Sequence, residues 1–126
     1  MPGEKGGVLV FEDNTSIQLL LRYFFQKHGY SVVLAEDGVE ALELVQRHAP
    51  KLIMMDLIMP GKDGLETSAD LRRAGIKTPI VMLTSKPFED DRERATSAGV
   101  DAYLLKPFNP SQLAATIEPL LRRAAP

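Results

Sequence analysis

Hydrophobic positions along the chain fall into two textures. Five short runs are almost continuously apolar: 8–11 (VLVF), 31–35 (SVVLA), 52–55 (LIMM), 79–83 (PIVML) and 102–105 (AYLL). Runs that lack polar alternation predict strands covered on both faces. Each stops abruptly, at Glu12-Asp13-Asn14, Glu36-Asp37-Gly38, Asp56, Thr84 and Lys106 in turn. The segments between them carry apolar residues at helical spacing. Ile17, Leu20, Leu21 and Phe24 form one stripe, with Gly29 past its end as a stop. Val39, Leu42 and Val45 form a second before Ala49-Pro50, and Leu65, Ala69 and Leu71 a third before Gly75. Residues 88–98 are polar and end at Gly99. Asn109 is a good cap, with Pro110 at the first helical position ahead of Leu113, Ile117, Leu120 and Leu121. Pro119 falls inside that last helix, where it removes a backbone hydrogen bond and predicts a kink.

Strand and helix thus alternate five times. That order predicts an α/β fold, a parallel sheet with helices on both faces. The handedness of crossovers leaves few topologies, and the flavodoxin-like (βα)5 three-layer sandwich with strand order 2-1-3-4-5 fits best. No linker, repeat or low-complexity stretch interrupts the 126 residues. The expectation is a single domain over 1–126, with its core at about 7–123 and no output domain after it.

Composition narrows the function. The balance of 15 Lys and Arg against 17 Asp and Glu, a net charge of -2, argues against a general nucleic-acid binder. The absence of cysteine removes disulfides, thiolate metal sites and thiol nucleophiles. No apolar run approaches the roughly 18 residues of a membrane span, and residues 1–7 carry no signal-like stretch. A soluble cytoplasmic protein that makes no membrane contact is expected. His28 and His48 both fall near helix ends, where a cation meets the dipole favourably, and neither is near the strand ends that matter below.

In open parallel sheets, ligands bind beyond the carboxyl ends of the strands. The order 2-1-3-4-5 makes the ends of strands one, three, four and five neighbours. One crevice should then hold Glu12, Asp13, Asp56, Thr84 and Lys106. Two like charges about 4 Å apart repel by about 4 kcal/mol at an effective dielectric near 20. Three carboxylates therefore require raised pKa values or a dication. All-oxygen ligation suits Mg²⁺. Taken singly, Asp13 reads as a helix cap, Thr84 as a strand-end residue and Lys106 as a solvated cation. Together they supply a carboxylate nucleophile toward phosphorus, a cation, an ammonium and a hydroxyl, the parts of a phosphoryl-transfer site without a nucleotide pocket.

These residues resemble the receiver domain of two-component response regulators, of the single-domain, chemotaxis-regulator-like kind. The likeness runs from Val8 to the last helix. It is carried by FEDN at 11–14, MDLIMPGKDG at 55–64, MLTS at 82–85 and AYLLKPF at 102–108. The resemblance implies that Asp56 is the phosphoacceptor. It implies Mg²⁺ ligation by Asp13 and Asp56, by Glu12 through water, and by the backbone carbonyl of Ile58. Thr84 and Lys106 would meet the phosphoryl group, Tyr103 would act as the switch aromatic, and Lys106-Pro107 would be a cis bond that aims the lysine into the site. The implied partners are a sensor histidine kinase or a histidine phosphotransfer protein, and a downstream effector. A dimer through the last two helices is compatible with the family. Such a domain is a signalling phospho-acceptor rather than a turnover enzyme, limited to self-phosphorylation and slow self-hydrolysis.

Two positions depart from the commonest pattern: the first acid is Glu12 rather than Asp, and the helix after Thr84 opens with Lys86-Pro87-Phe88. In the family, residues two beyond the acceptor and two beyond the threonine tune hydrolysis. Here they are Ile58 and Lys86, and Ile58, which cannot position water, predicts a long-lived phosphoryl form. An aspartate-nucleophile phosphatase would want a second carboxylate where Ile58 stands. A flavin or nucleotide binder would want a phosphate-cradling loop where Glu12 and Asp13 stand. A degenerate scaffold would lack a site residue, and none is missing. Leu19 and Tyr23 lie on the far side of the first helix from Ile17 and Leu21, and are either plain surface or a docking patch for a partner's helix.

Overall fold

A computed structural model describes residues 4–85 and 88–124. The chain runs β1 (Gly7–Phe11), α1 (Thr15–Lys27), β2 (Ser31–Ala35), α2 (Ala41–His48), β3 (Leu52–Asp56), α3 (Gly64–Arg73), β4 (Ile80–Thr84), α4 (Phe88–Ala98), β5 (Ala102–Leu105) and α5 (Pro110–Ala124). All strand pairs are parallel, in the order β2-β1-β3-β4-β5. The expected flavodoxin-like (βα)5 sandwich is the observed one.

The central strands are apolar on both faces because the sheet has a core on each side. Val8, Val10, Met54, Val81 and Leu83 face Leu21, Phe24 and Phe25 of α1 and Leu113, Ile117 and Leu120 of α5. Leu9, Phe11, Ile53, Met55 and Met82 face Val45 of α2, Leu65 and Leu71 of α3, and Ala95 and Ala98 of α4. Burying each large side chain contributes about 1.5–3 kcal/mol.

Local signals start the helices. Asn14 caps α1, its Oδ1 accepting from the Ile17 N–H at 3.0 Å. That leaves Asp13, the other candidate cap, free of the role. Asp63 caps α3 through the Glu66 N–H at 2.8 Å. At the start of α5, Asn109 accepts from the Gln112 N–H at 2.8 Å while Gln112 Oε1 accepts from the Asn109 N–H at 2.9 Å, a reciprocal box. Helix α5 runs unbroken through Pro119.

Two expected stripes need correction. In α1 the buried set is Leu21, Phe24 and Phe25, and Leu20 is turned outward. In α2, Val39 does not join the stripe. The Asp37 carboxylate accepts from the Val39 N–H at 3.0 Å, and this side-chain turn holds residue 39 ahead of a helix that begins at Ala41. Leu42 is exposed, and the core face of α2 is Ala41, Leu44 and Val45. Lys86 and Pro87 lie outside the described residues.

Candidate functional site

The strand ends gather the expected residues at one edge of the sheet. Glu12 follows β1, and its backbone N–H donates to Ala35 O at 2.9 Å, which ties it to the end of β2. Asp56 ends β3 opposite Leu83. Thr84 follows Leu83, is buried, and accepts from the Lys106 N–H through its carbonyl at 2.7 Å. Asp56, Thr84 and Lys106 therefore sit side by side on three adjacent strand ends. The Lys106-Pro107 bond is cis, as expected.

Side chains converge as the backbone does. One carboxylate oxygen from each of Glu12, Asp13 and Asp56 lies within 4.8 Å of the others. The Lys106 ammonium sits between two of them, 2.7 Å from Glu12 Oε1 and 3.1 Å from Asp56 Oδ2. Glu12 is 0% exposed, Asp56 is buried and Asp13 faces solvent. The Asn14 N–H donates to Glu12 Oε2 at 3.2 Å, while among the described residues no hydrogen-bond donor is aligned on Glu12 Oε1, which meets the Lys106 ammonium as a close ion pair. Asp56 Oδ1 accepts from the Ile58 N–H at 3.2 Å, which sets the rotation of that carboxylate. The Ile58 side chain is 62% exposed at the mouth of the crevice.

Charge crowding shows in the proton affinities. Burial pushes the Glu12 carboxyl above its ordinary value. Lys106 pulls it back, and the neighbouring Asp56 adds to the rise. Burial alone would lower the Lys106 ammonium, but its contacts with Glu12 and Asp56 outweigh that and hold it above the usual lysine range. The cluster carries three acids against one base, so with all of them ionised it is two positive charges short of neutrality. A hard dication fits this donor set of carboxylate oxygens. The buried Glu12 Oε1 has capacity to spare for one. Opposite ligands of Mg²⁺ lie about 4.2 Å apart, so a spread of up to 4.8 Å needs a small side-chain rotation or one intervening water.

Close packing beneath the acid keeps it in place. A Cβ added at Gly64, the first residue of α3, would lie 2.4 Å from Asp56 O and 2.8 Å from Met82 Sδ. The Gly64 N–H donates to Leu57 O at 2.8 Å. Only glycine lets α3 begin directly under the end of β3. Tyr103 packs against the α4-side core with its hydroxyl buried.

Leu19 and Tyr23 are 59% and 69% exposed, on the outer face of α1 as the helical phase predicts. With Leu20, Phe24 and Pro110 they line an apolar groove of about 450 Å³ between α1 and the start of α5. His28 ends α1 with Nδ1 2.8 Å from Phe24 O and its ring stacked on Phe24, away from the crevice.

Sheet order and strand-end acids together define a flavodoxin-like domain with a cation-competent acidic site. The chain belongs to the response regulator receiver domain family, whose model matches residues 8–118. It is similar to the alkaline phosphatase synthesis transcriptional regulatory protein PhoP of Bacillus subtilis, 39% identical over 93% of this chain and 49% of that protein. The chain spans about half the length of the curated relatives it matches. Among solved structures it resembles the chemotaxis protein CheY4 of Vibrio cholerae (TM-score 0.82, 32% identity, 95% of this chain and 98% of that one). It also resembles the receiver domain of the sensor histidine kinase PA1611 of Pseudomonas aeruginosa (TM-score 0.78, 32% identity, 94% and 95% covered), described with a magnesium ion coordinated in its active site cleft. Among the described residues no helix is long and apolar enough to cross a membrane.

Proposed function

We propose that this chain accepts a phosphoryl group on Asp56 from a phosphohistidine of a partner kinase or phosphotransfer protein. The observation that carries the reading is the Lys106 ammonium set between Glu12 and Asp56, with Asp13 completing a three-acid cluster at the sheet edge. In the transfer, a carboxylate oxygen of Asp56 forms the new O–P bond as the P–N bond of the donor breaks, and the imidazole leaves as the neutral base once protonated. Lys106, already beside Asp56, pairs with a phosphoryl oxygen, and the Thr84 hydroxyl donates to another. Glu12, Asp13, Asp56 and the Ile58 carbonyl would hold Mg²⁺, which neutralises charge on the phosphoryl oxygens when bound. Tyr103 answers the movement of Thr84, and the altered α4–β5 face engages an effector.

The same site has no second acid at Ile58 to drive hydrolysis, so the product persists and the chain signals rather than turns over substrate. The groove at Leu19 and Tyr23 receives an apolar helix of the donor, beside the crevice. The test is incubation with Mg²⁺ and a small-molecule phosphodonor, read by intact mass. One phosphoryl group should appear on the wild type and none on Asp56→Asn. Labelling that survives in Asp56→Asn, or a wild type that stays unmodified, overturns the reading.

A further inference from the structure

The two acids that follow β1 are held in different ways. The Glu12 carboxylate is met on both oxygens, by the Asn14 N–H and by the Lys106 ammonium. Asp13 faces solvent, and among the described residues no hydrogen bond or ion pair holds its carboxylate. Its place in the cluster is therefore set by the backbone on either side of it.

That backbone is tied at both ends. On the β1 side, the Glu12 N–H donates to Ala35 O at 2.9 Å. On the α1 side, Asn14 is fixed by its cap bond to the Ile17 N–H. Gln18, half-buried in the first turn of α1, joins the two sides. Its backbone N–H donates to Asn14 O at 3.0 Å, and its side-chain Nε2 donates to the carbonyl of Glu12. One residue thus grips the segment just before and just after Asp13. Without the side-chain bond, the first turn of α1 can tilt from the end of β1. Asp13, which leads into that turn, tilts with it, and its carboxylate leaves the spacing it has with Glu12 and Asp56.

We infer that Gln18 is a positioning residue that fixes the spacing of the acids and so makes the site prefer Mg²⁺ to Ca²⁺. The inference rests on the cation-binding role proposed above and deepens it. Gln18 touches neither the cation nor the phosphoryl group: it acts through the Glu12 carbonyl. Mg²⁺ demands near-ideal octahedral geometry with bonds of about 2.1 Å, whereas Ca²⁺ accepts irregular ligands at about 2.3–2.6 Å. A loosened pair of acids therefore penalises the smaller ion more. If loss of the bond leaves the acids correctly spaced for between about a half and about a tenth of the time, Mg²⁺ affinity falls roughly two- to tenfold.

The experiment titrates the intact chain with magnesium chloride and, separately, with calcium chloride. Binding is read by NMR at the amides of Asn14, Ile58 and Lys106. Gln18→Met keeps the length of the side chain and removes the donor. Gln18→Ala removes the donor with the best helix former. Both variants should bind Mg²⁺ roughly two- to tenfold more weakly, with a smaller loss for Ca²⁺, so that the preference for Mg²⁺ narrows. Melting curves without a dication accompany each variant. Unchanged Mg²⁺ affinity in both variants overturns the inference, whatever the melting curves show. Equal losses for the two ions also overturn it, because a merely structural bond would weaken both alike. Either result leaves the acceptor role intact, whereas a wild type that binds neither ion overturns the cation-binding reading and this inference together.

Discussion

Replacing Lys106 by Met tests the electrostatic logic of the crevice directly. Methionine keeps most of the side-chain length and removes the charge together with the donor that Asp56 Oδ2 accepts from. At an effective dielectric near 20, the 2.7 Å contact with Glu12 and the 3.1 Å contact with Asp56 correspond to gross attractions of about 6 and about 5 kcal/mol. Removing them leaves two buried carboxylates whose facing oxygens lie within 4.8 Å, a repulsion of at least about 3 kcal/mol on the same scale. Partial protonation and water entry absorb much of this, and breaking one side of a buried ionic cluster costs about 3–5 kcal/mol in practice. For a domain of this size that lowers the melting temperature by at least about 10 °C at neutral pH. The sign with pH follows from Glu12. Its folded-state pKa is raised above the ordinary 4.5, so the folded form holds that proton more tightly than the unfolded chain. Stability is therefore lost as pH rises from about 4.5 through the raised value, and the loss is larger without the ammonium. Asp63 and Asp70 have lowered values, so their contribution is full above the ordinary 3.8 and disappears only below it, outside the window compared. Melting curves at pH 5 and 7.5, with and without Mg²⁺, should show Lys106→Met closer to wild type at pH 5 and gaining more from Mg²⁺ than wild type does. A penalty below about 1 kcal/mol at pH 7.5, or an equal Mg²⁺ gain in both proteins, refutes the reasoning.

Three further outcomes are expected. Substituting Leu19 and Tyr23 together by Ser should slow phosphotransfer from the partner kinase while leaving small-molecule phosphorylation unchanged and stability within about 0.5 kcal/mol; equal transfer rates would discard the docking groove. Ile58→Gln, which puts a water-orienting amide at the crevice mouth, should shorten the phosphoryl lifetime by about tenfold, measured by loss of label after donor removal. Gly64→Ala should destabilise by about 1–3 kcal/mol, because the new methyl meets Asp56 O and Met82 Sδ; a denaturant midpoint equal to wild type would show that α3 can slide outward freely.

The strand ends were legible because two-sided burial leaves continuous apolar runs, and the first polar residue after each run marks the edge where ligands bind. Glu12, Asp56, Thr84 and Lys106 stand at those points, and the parallel order brings them together. The helix faces were read less well. Periodicity alone could not decide between Leu20 and Phe25 on α1, since both lie near the edge of the stripe and only the fit against β1 and β3 turns Phe25 inward. Val39 was misplaced because the turn at Asp37 is a side-chain hydrogen bond, to which a hydrophobic pattern is blind. The Asp63–Arg94 contact left no trace in the sequence: both residues look like ordinary solvated charges, and only the packing of α3 beside α4 brings them within reach. The bridging position of Lys106 between two acids also emerged only in three dimensions.

The division of the interior by the sheet has an evolutionary consequence. The layer behind α1 and α5 is stiffened by aromatic rings, Phe24 and Phe25 set edge to face at 5.4 Å. The layer behind α3 and α4 adds three methionines, Met55, Met59 and Met82, and the methyls of Ala95 and Ala98 to Phe11 and its branched aliphatic neighbours, and those unbranched or small groups re-pack at little cost. On the function proposed above, with the donor at the α1 face and the effector at the α4 face, substitutions that retune one partner repack one layer and leave the other layer in place, so a duplicated copy can change one conversation without garbling the other.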